Sequence, residues 1–98
     1  MKQVIFGKNF KKSMKNVRSY PEYKEKELDD ALKTLASGGK LPENMRDHDM
    51  VKQSREELQG CRVFHLRPNL VVVYKMDKTT LEVLDIGKHN TLRLTSSL

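Results

Sequence analysis

Three histidines, His48, His65 and His89, are the side chains of this sequence best suited to trading protons near neutral pH. An ordinary imidazole pKa of about 6.5 leaves both of its forms populated there. Cations stand close to two of them: Arg62 and Arg67 flank His65, and Lys88 and Arg93 flank His89. This set answers the needs of metal-free cleavage of an RNA phosphodiester. The 2′-hydroxyl gives up a proton, the departing 5′-oxygen takes one, and the crowded phosphorane needs positive charge around it. Two other chemistries use the same residues. A metal site would draw on His48, His65 and His89 with an aspartate, although no HExxH or Cys-x-x-Cys spacing is present and the single cysteine, Cys61, is alone. The third is a basic RNA-binding module whose histidines are structural.

The elements that must position these residues can be read from periodicity. Residues 60–94 read as three consecutive strands joined by tight turns at Arg67-Pro68-Asn69 and Asp77-Lys78-Thr79. The middle run, Leu70-Val71-Val72-Val73-Tyr74, is apolar and rich in valine, as expected of a central strand covered on both faces. Alternation puts Cys61, Val63 and His65 on one face and Arg62, Phe64 and Leu66 on the other. Arg62 and His65 therefore share a site only if a bulge, a strong twist or an edge position intervenes. Otherwise Arg62 pairs with a carboxylate such as Asp85 or Glu82.

Ahead of the strands, Gln3-Val4-Ile5-Phe6 is a short strand closed by Gly7. Asn9 is placed to cap a helix over residues 10–18, with Phe10, Met14 and Val17 as its apolar stripe. Ser19-Tyr20-Pro21-Glu22 has capping-box spacing and predicts a second helix with Leu28, Ala31, Leu32 and Leu35 buried, ended by Gly38. Residues 40–59 are the least regular. The order β-α-α-β-β-β predicts an α+β fold in which an αα-hairpin covers one face of the sheet.

Ninety-eight residues suit one domain spanning 1–98. A net charge of +6 and a pI near 9.6 favour an anionic partner, and Lys11, Lys12, Lys15 and Arg18 on the first helix offer a phosphate-facing stripe. No apolar run is long enough for a membrane helix, and one cysteine without a disulfide framework fits the reducing cytoplasm.

Asp47-His48, then Gly60-Cys61-Arg62-Val63-Phe64-His65-Leu66-Arg67-Pro68-Asn69-Leu70-Val71-Val72-Val73-Tyr74-Lys75, then Gly87-Lys88-His89 together resemble the YafQ branch of the RelE/ParE toxin superfamily. The resemblance implies the toxin half of a toxin–antitoxin pair, an mRNA endonuclease acting on the ribosome with mRNA in its A site, without metal or organic cofactor. It casts His89 as the general acid, and His48 or His65 as the group that activates the 2′-hydroxyl. Asn69, Arg67, Lys88, Arg93 and Arg62 become candidates for holding substrate. The implied partners are ribosomal RNA, met by the basic helix, and a cognate antitoxin with an acidic or disordered segment. The sequence departs from the family pattern at Asn69, Leu70, Asp85 and Arg93, where an acid, a tryptophan, a basic residue and an aromatic residue are usual. Those departures also suit an alternative, a member that binds the ribosome or its antitoxin without cutting.

Overall fold

The structure, a computed structural model, describes residues 1–49 and 60–88. Strand β1 (Gln3–Phe6) leads through Gly7 directly into helix α1 (Lys8–Val17). Gly7 donates its N–H to the Val83 carbonyl at 2.8 Å and accepts from Lys11 N–H, so the helix opens where the strand stops. A Cβ on Gly7 would stand 3.2 Å from the Val83 carbonyl oxygen, which explains a glycine at this junction. Asn9 consequently lies inside the helix and does not cap it.

Helix α2 (Glu25–Ala36) begins five residues later than the Ser-x-x-Glu spacing predicts. The Ser19 hydroxyl turns back to the Asn16 carbonyl at 2.6 Å and so closes the end of α1. The connection between the helices is a run of turns, in which Tyr20 N–H donates to Val17 and Tyr23 N–H to Tyr20. Gly38, at φ 85°, ends α2 in the left-handed conformation expected of it.

Strands β3 (Arg62–Arg67), β4 (Leu70–Met76) and β5 (Thr80–Lys88) form the predicted antiparallel succession. The sheet is nevertheless more than a meander. Its order is β1-β5-β4-β3-β2, with β1 parallel to β5 and a two-residue strand β2 (His48–Asp49) antiparallel to β3. Nothing in the local sequence marks β2 as a strand; pairing with β3 makes it one.

Residues 70–74 of the central strand β4 are all buried. One face of the sheet carries Phe64, Val72, Tyr74, Leu81 and Val83 against Phe10, Met14 and Val17 of α1 and Leu28, Leu32 and Leu35 of α2. The helical hairpin thus covers one face, as the two apolar stripes require. On the other face Cys61, Val63, Val71 and Val73 form a second buried cluster with Leu84 beside it. No helix among the described residues is long and apolar enough to cross a membrane.

Candidate functional site

Pairing brings two of the histidines together. His48 lies opposite Val63, and His65 is two residues further along β3, so both rings stand on the face away from the helices. Their centroids are 6.3 Å apart and their planes meet at 22°. Each ring is tied through Nδ1 to a main-chain carbonyl: His48 to Arg46, and His65 to Pro68 at 3.2 Å. A carbonyl only accepts, so both bonds favour the tautomer with hydrogen on Nδ1. Nε2 is then the atom of each ring that can gain or lose a proton. His65 is deeply buried and His48 half-buried. His89 and Arg93 lie outside the described residues.

What fixes His48 is a polar clamp on the opposite face of β2 and β3. Asp49 pairs with Arg62 in the strand register, and Arg62 with Tyr74. Tyr74 donates its hydroxyl to Asp47 at 2.6 Å and accepts from Arg62 Nε at 3.1 Å. The Arg62 guanidinium also reaches Asp47 at 3.3 Å and Asp49 at 2.7 Å. One arginine and one tyrosine thereby hold both residues that flank His48. Burial, then the hydrogen bond to Asp47, pushes the Tyr74 phenol above its usual range, against the pull of Arg62. Burial works to lower the Arg62 pKa, but the hydrogen bond to Tyr74 and the charges of Asp47 and Asp49 outweigh it and keep the guanidinium protonated.

The clamp decides the question that alternation raised. Pairing from Arg62 to His65 is regular, so the two side chains point to opposite faces. Arg62 does meet carboxylates, but they are Asp47 and Asp49. Asp85 is buried and accepts from Ser13 Oγ at 2.6 Å and from Ile86 N–H at 2.8 Å, which ties β5 to α1. Glu82 pairs with Lys75 across the β4–β5 ladder.

A bulge does occur in β3, one step later, between His65 and Arg67. It puts Arg67 opposite Leu70, a residue of the helix-side core. Arg67 accordingly turns to α2, where it meets Glu27 Oε2 at 2.7 Å and the Glu22 carbonyl at 3.3 Å. Lys88, opposite Leu70 from the other side, sets its ammonium 4.7 Å from the centre of the Tyr20 ring. Asn69 is exposed in the Pro68–Asn69 turn that joins β3 to β4. Of the proposed substrate cations, then, Arg62, Arg67 and Lys88 start out engaged on the helix side of the sheet.

Sequence reasoning missed two participants, Tyr74 and Arg46. Tyr74 sits in an apolar run and reads as core, which its ring is. Arg46 adopts a left-handed backbone (φ 51°, ψ 47°), and its carbonyl anchors His48. That conformation is uncommon for a residue other than glycine, and here it ends the 3-10 turn over Glu43–Met45. A recess of about 350 Å³ opens here, bordered by Arg46, His65 and Arg67. A larger hollow of about 440 Å³ lies between the helices, beside Phe10, Met14 and Leu28, far from this chemistry. Among the described residues no three His, Cys, Asp or Glu side chains gather to hold a metal ion.

Known proteins share this fold. The fold resembles a metal-bound toxin from Helicobacter pylori, at 26% identity over 94% of this chain and 99% of that one, with a TM-score of 0.80. It also resembles YafQ from E. coli strain BL21(DE3), at 20% identity over 94% and 98% with a TM-score of 0.78. The toxin of the E. coli DinJ–YafQ complex follows at 22% identity, 94% and 98% coverage and a TM-score of 0.77. No curated protein sequence matches the chain. Residues 2–94 match the family described as "Bacterial toxin of type II toxin-antitoxin system, YafQ". With that match over nearly its whole length, the chain belongs to the YafQ family of type II toxin–antitoxin toxins.

Proposed function

We propose that this toxin is a ribosome-dependent mRNA endonuclease that works by histidine acid–base catalysis. The observation that carries the reading is the facing pair His48 and His65, each oriented by a bond from Nδ1 to a main-chain carbonyl. One of these rings takes the proton of the 2′-hydroxyl as its oxygen attacks phosphorus. The phosphorus–5′-oxygen bond breaks, and a 2′,3′-cyclic phosphate forms. His89, in the role that family resemblance gives it, returns a proton to the departing 5′-oxygen. Lys11, Lys12, Lys15 and Arg18 supply cationic charge for ribosomal RNA, through counterion release that reads no sequence. The step uses side chains alone. It takes place in the cytoplasm, where ribosomes translate, and a cognate antitoxin restrains it, as DinJ pairs with YafQ in the E. coli complex.

The test is induced expression in a translating extract, followed by mapping of mRNA ends, for wild type, His48→Ala, His65→Ala and His89→Ala. Wild type is expected to produce cuts and each variant few. A second reading, a toxin that blocks the ribosome without cutting, draws on the engagement of Arg62, Arg67 and Lys88 away from the histidine pair. Translation arrest of equal strength in wild type and all three variants, without new mRNA ends, would select it.

A further inference from the structure

Every nitrogen of the Arg62 guanidinium meets a group of this same chain. Nε donates to the Tyr74 hydroxyl at 3.1 Å, Nη1 donates to Asp49 at 2.7 Å, and Nη2 lies 3.3 Å from Asp47. Two carboxylates stand against one guanidinium, so the cluster is net negative. Such a cluster repels a phosphate, and the nitrogens that would fork onto its oxygens are already engaged. The register adds distance, since Arg62 points away from the face that carries His48 and His65. Arg62 is poorly built to hold RNA.

What Arg62 touches is the frame of His48. Strand β2 is two residues long, where a typical strand has about five, so its own ladder holds it weakly. Side-chain bonds make up the difference. Asp47, just before His48, accepts from the Tyr74 hydroxyl at 2.6 Å, and Asp49, just after it, meets Arg62. The ring itself is tied through Nδ1 to the Arg46 carbonyl. Tyr74 is fully buried in the helix-side core and gives the clamp a fixed footing. His65 is held differently, by the regular part of β3 and by its bond to Pro68.

We infer that Arg62 and Tyr74 are positioning residues for RNA cleavage, which aim His48 through Asp47 and Asp49 without touching RNA. The inference rests on the RNA-cleaving reading, and it takes Arg62 out of the residues that hold substrate. Lysine cannot replace arginine in this role. One ammonium keeps the charge but cannot reach a phenol and two carboxylates together. A phosphate contact would largely survive the same exchange, because lysine also binds phosphate. The two roles therefore separate in Arg62→Lys.

The test measures mRNA cleavage on programmed ribosomes at rising toxin concentration, for wild type, Arg62→Lys and Tyr74→Phe. Isotope-edited NMR follows the histidine rings of the same full-length proteins, at a pH where they are neutral. Both variants are expected to lower the saturated rate about tenfold or more, with the half-saturating concentration within about twofold of wild type. His48 should lose its single Nδ1–H tautomer in both variants while His65 keeps its own. Arg62→Lys that saturates only at higher concentration, yet reaches the wild-type rate, makes Arg62 a substrate cation and overturns the assignment. Wild-type rates in both variants overturn it too, as does a His65 ring that changes together with His48, which marks general loosening. Tyr74→Phe keeps its ring in the core, so it decides the matter where Arg62→Lys fails to fold. The spectra need no RNA: absence of cuts from wild type removes the nuclease reading, and the His48 ring alone then decides whether the clamp aims it.

Discussion

Replacing Tyr74 with phenylalanine removes one oxygen from the sheet and leaves the ring in place against Phe64, 5.8 Å away. The lost hydroxyl donates to Asp47 at 2.6 Å and accepts from Arg62 at 3.1 Å. Tyr74 is fully buried and the Asp47 side chain is 19% exposed, so this charge-assisted bond is only lightly screened. A bond of this kind contributes about 2 kcal/mol. For a chain of this length that loss lowers Tm by about 10 °C. The contrast is Asp49→Asn. The Asp49 side chain is 77% exposed, and its bond to Arg62, though 2.7 Å long, contributes at most about 0.5 kcal/mol. Urea unfolding at constant slope measures both variants. Ring NMR of His48 in the Tyr74→Phe protein then reports whether β2 loosens, since Asp47 precedes His48 directly. Asp49→Asn costing as much as Tyr74→Phe, or Tyr74→Phe costing under about 0.5 kcal/mol, would refute the claim that the tyrosine secures this strand.

The same phenol fixes a pH dependence: its raised pKa means the native chain keeps the proton after the unfolded chain has released it near pH 10. Its contribution is complete below about pH 10 and is lost as pH rises further, so the alkaline limb of a stability curve should flatten in Tyr74→Phe. Asp77 acts in the opposite direction, because N–H groups of Thr79 and Thr80 at 2.9 and 2.8 Å hold its carboxyl below the usual range. Its contribution is present above about pH 4 and is lost as pH falls through the lowered value, and carboxyl NMR titration should find it still ionised when ordinary aspartates have protonated. Ser13→Ala deprives buried Asp85 of its hydroxyl donor and should cost about 1–3 kcal/mol in urea unfolding, with α1 amides losing exchange protection first.

Much of the architecture was legible because hydrophobic period and turn chemistry are local. The stripes at Phe10, Met14, Val17 and at Leu28, Ala31, Leu32, Leu35 are buried as their spacing requires. The turns at Pro68–Asn69 and Asp77–Thr79 carry residues that make them. The parallel pairing of β1 with β5 and the existence of β2 depend on contacts between segments far apart in the chain, and no window of sequence contains them. The errors at helix starts have the same origin. Gly7 and Ser19 are claimed by Val83 and Asn16 before the capping rules can act. In the site, His48 and His65 were identifiable from side-chain chemistry, but their common face follows from the His48–Val63 pairing. The engagement of Arg62, Arg67 and Lys88 was hidden too, because the bulge after His65 and the carboxylates of Asp47, Asp49 and Glu27 are tertiary facts.

Gln3 finds its neighbour at Thr80, far along the sequence and beyond both helices. Until that late segment has been synthesised, the N-terminal strand has no ladder to join, and Ile5 and Phe6 wait beside it with only partial cover even in the finished molecule. Such a distant closure makes folding slow compared with a helical bundle of equal size. It also makes it late: a nascent chain interrupted before Thr80 holds both helices but lacks the strand that joins α1 to the sheet. A chain built this way completes its sheet only after residue 80 has been made.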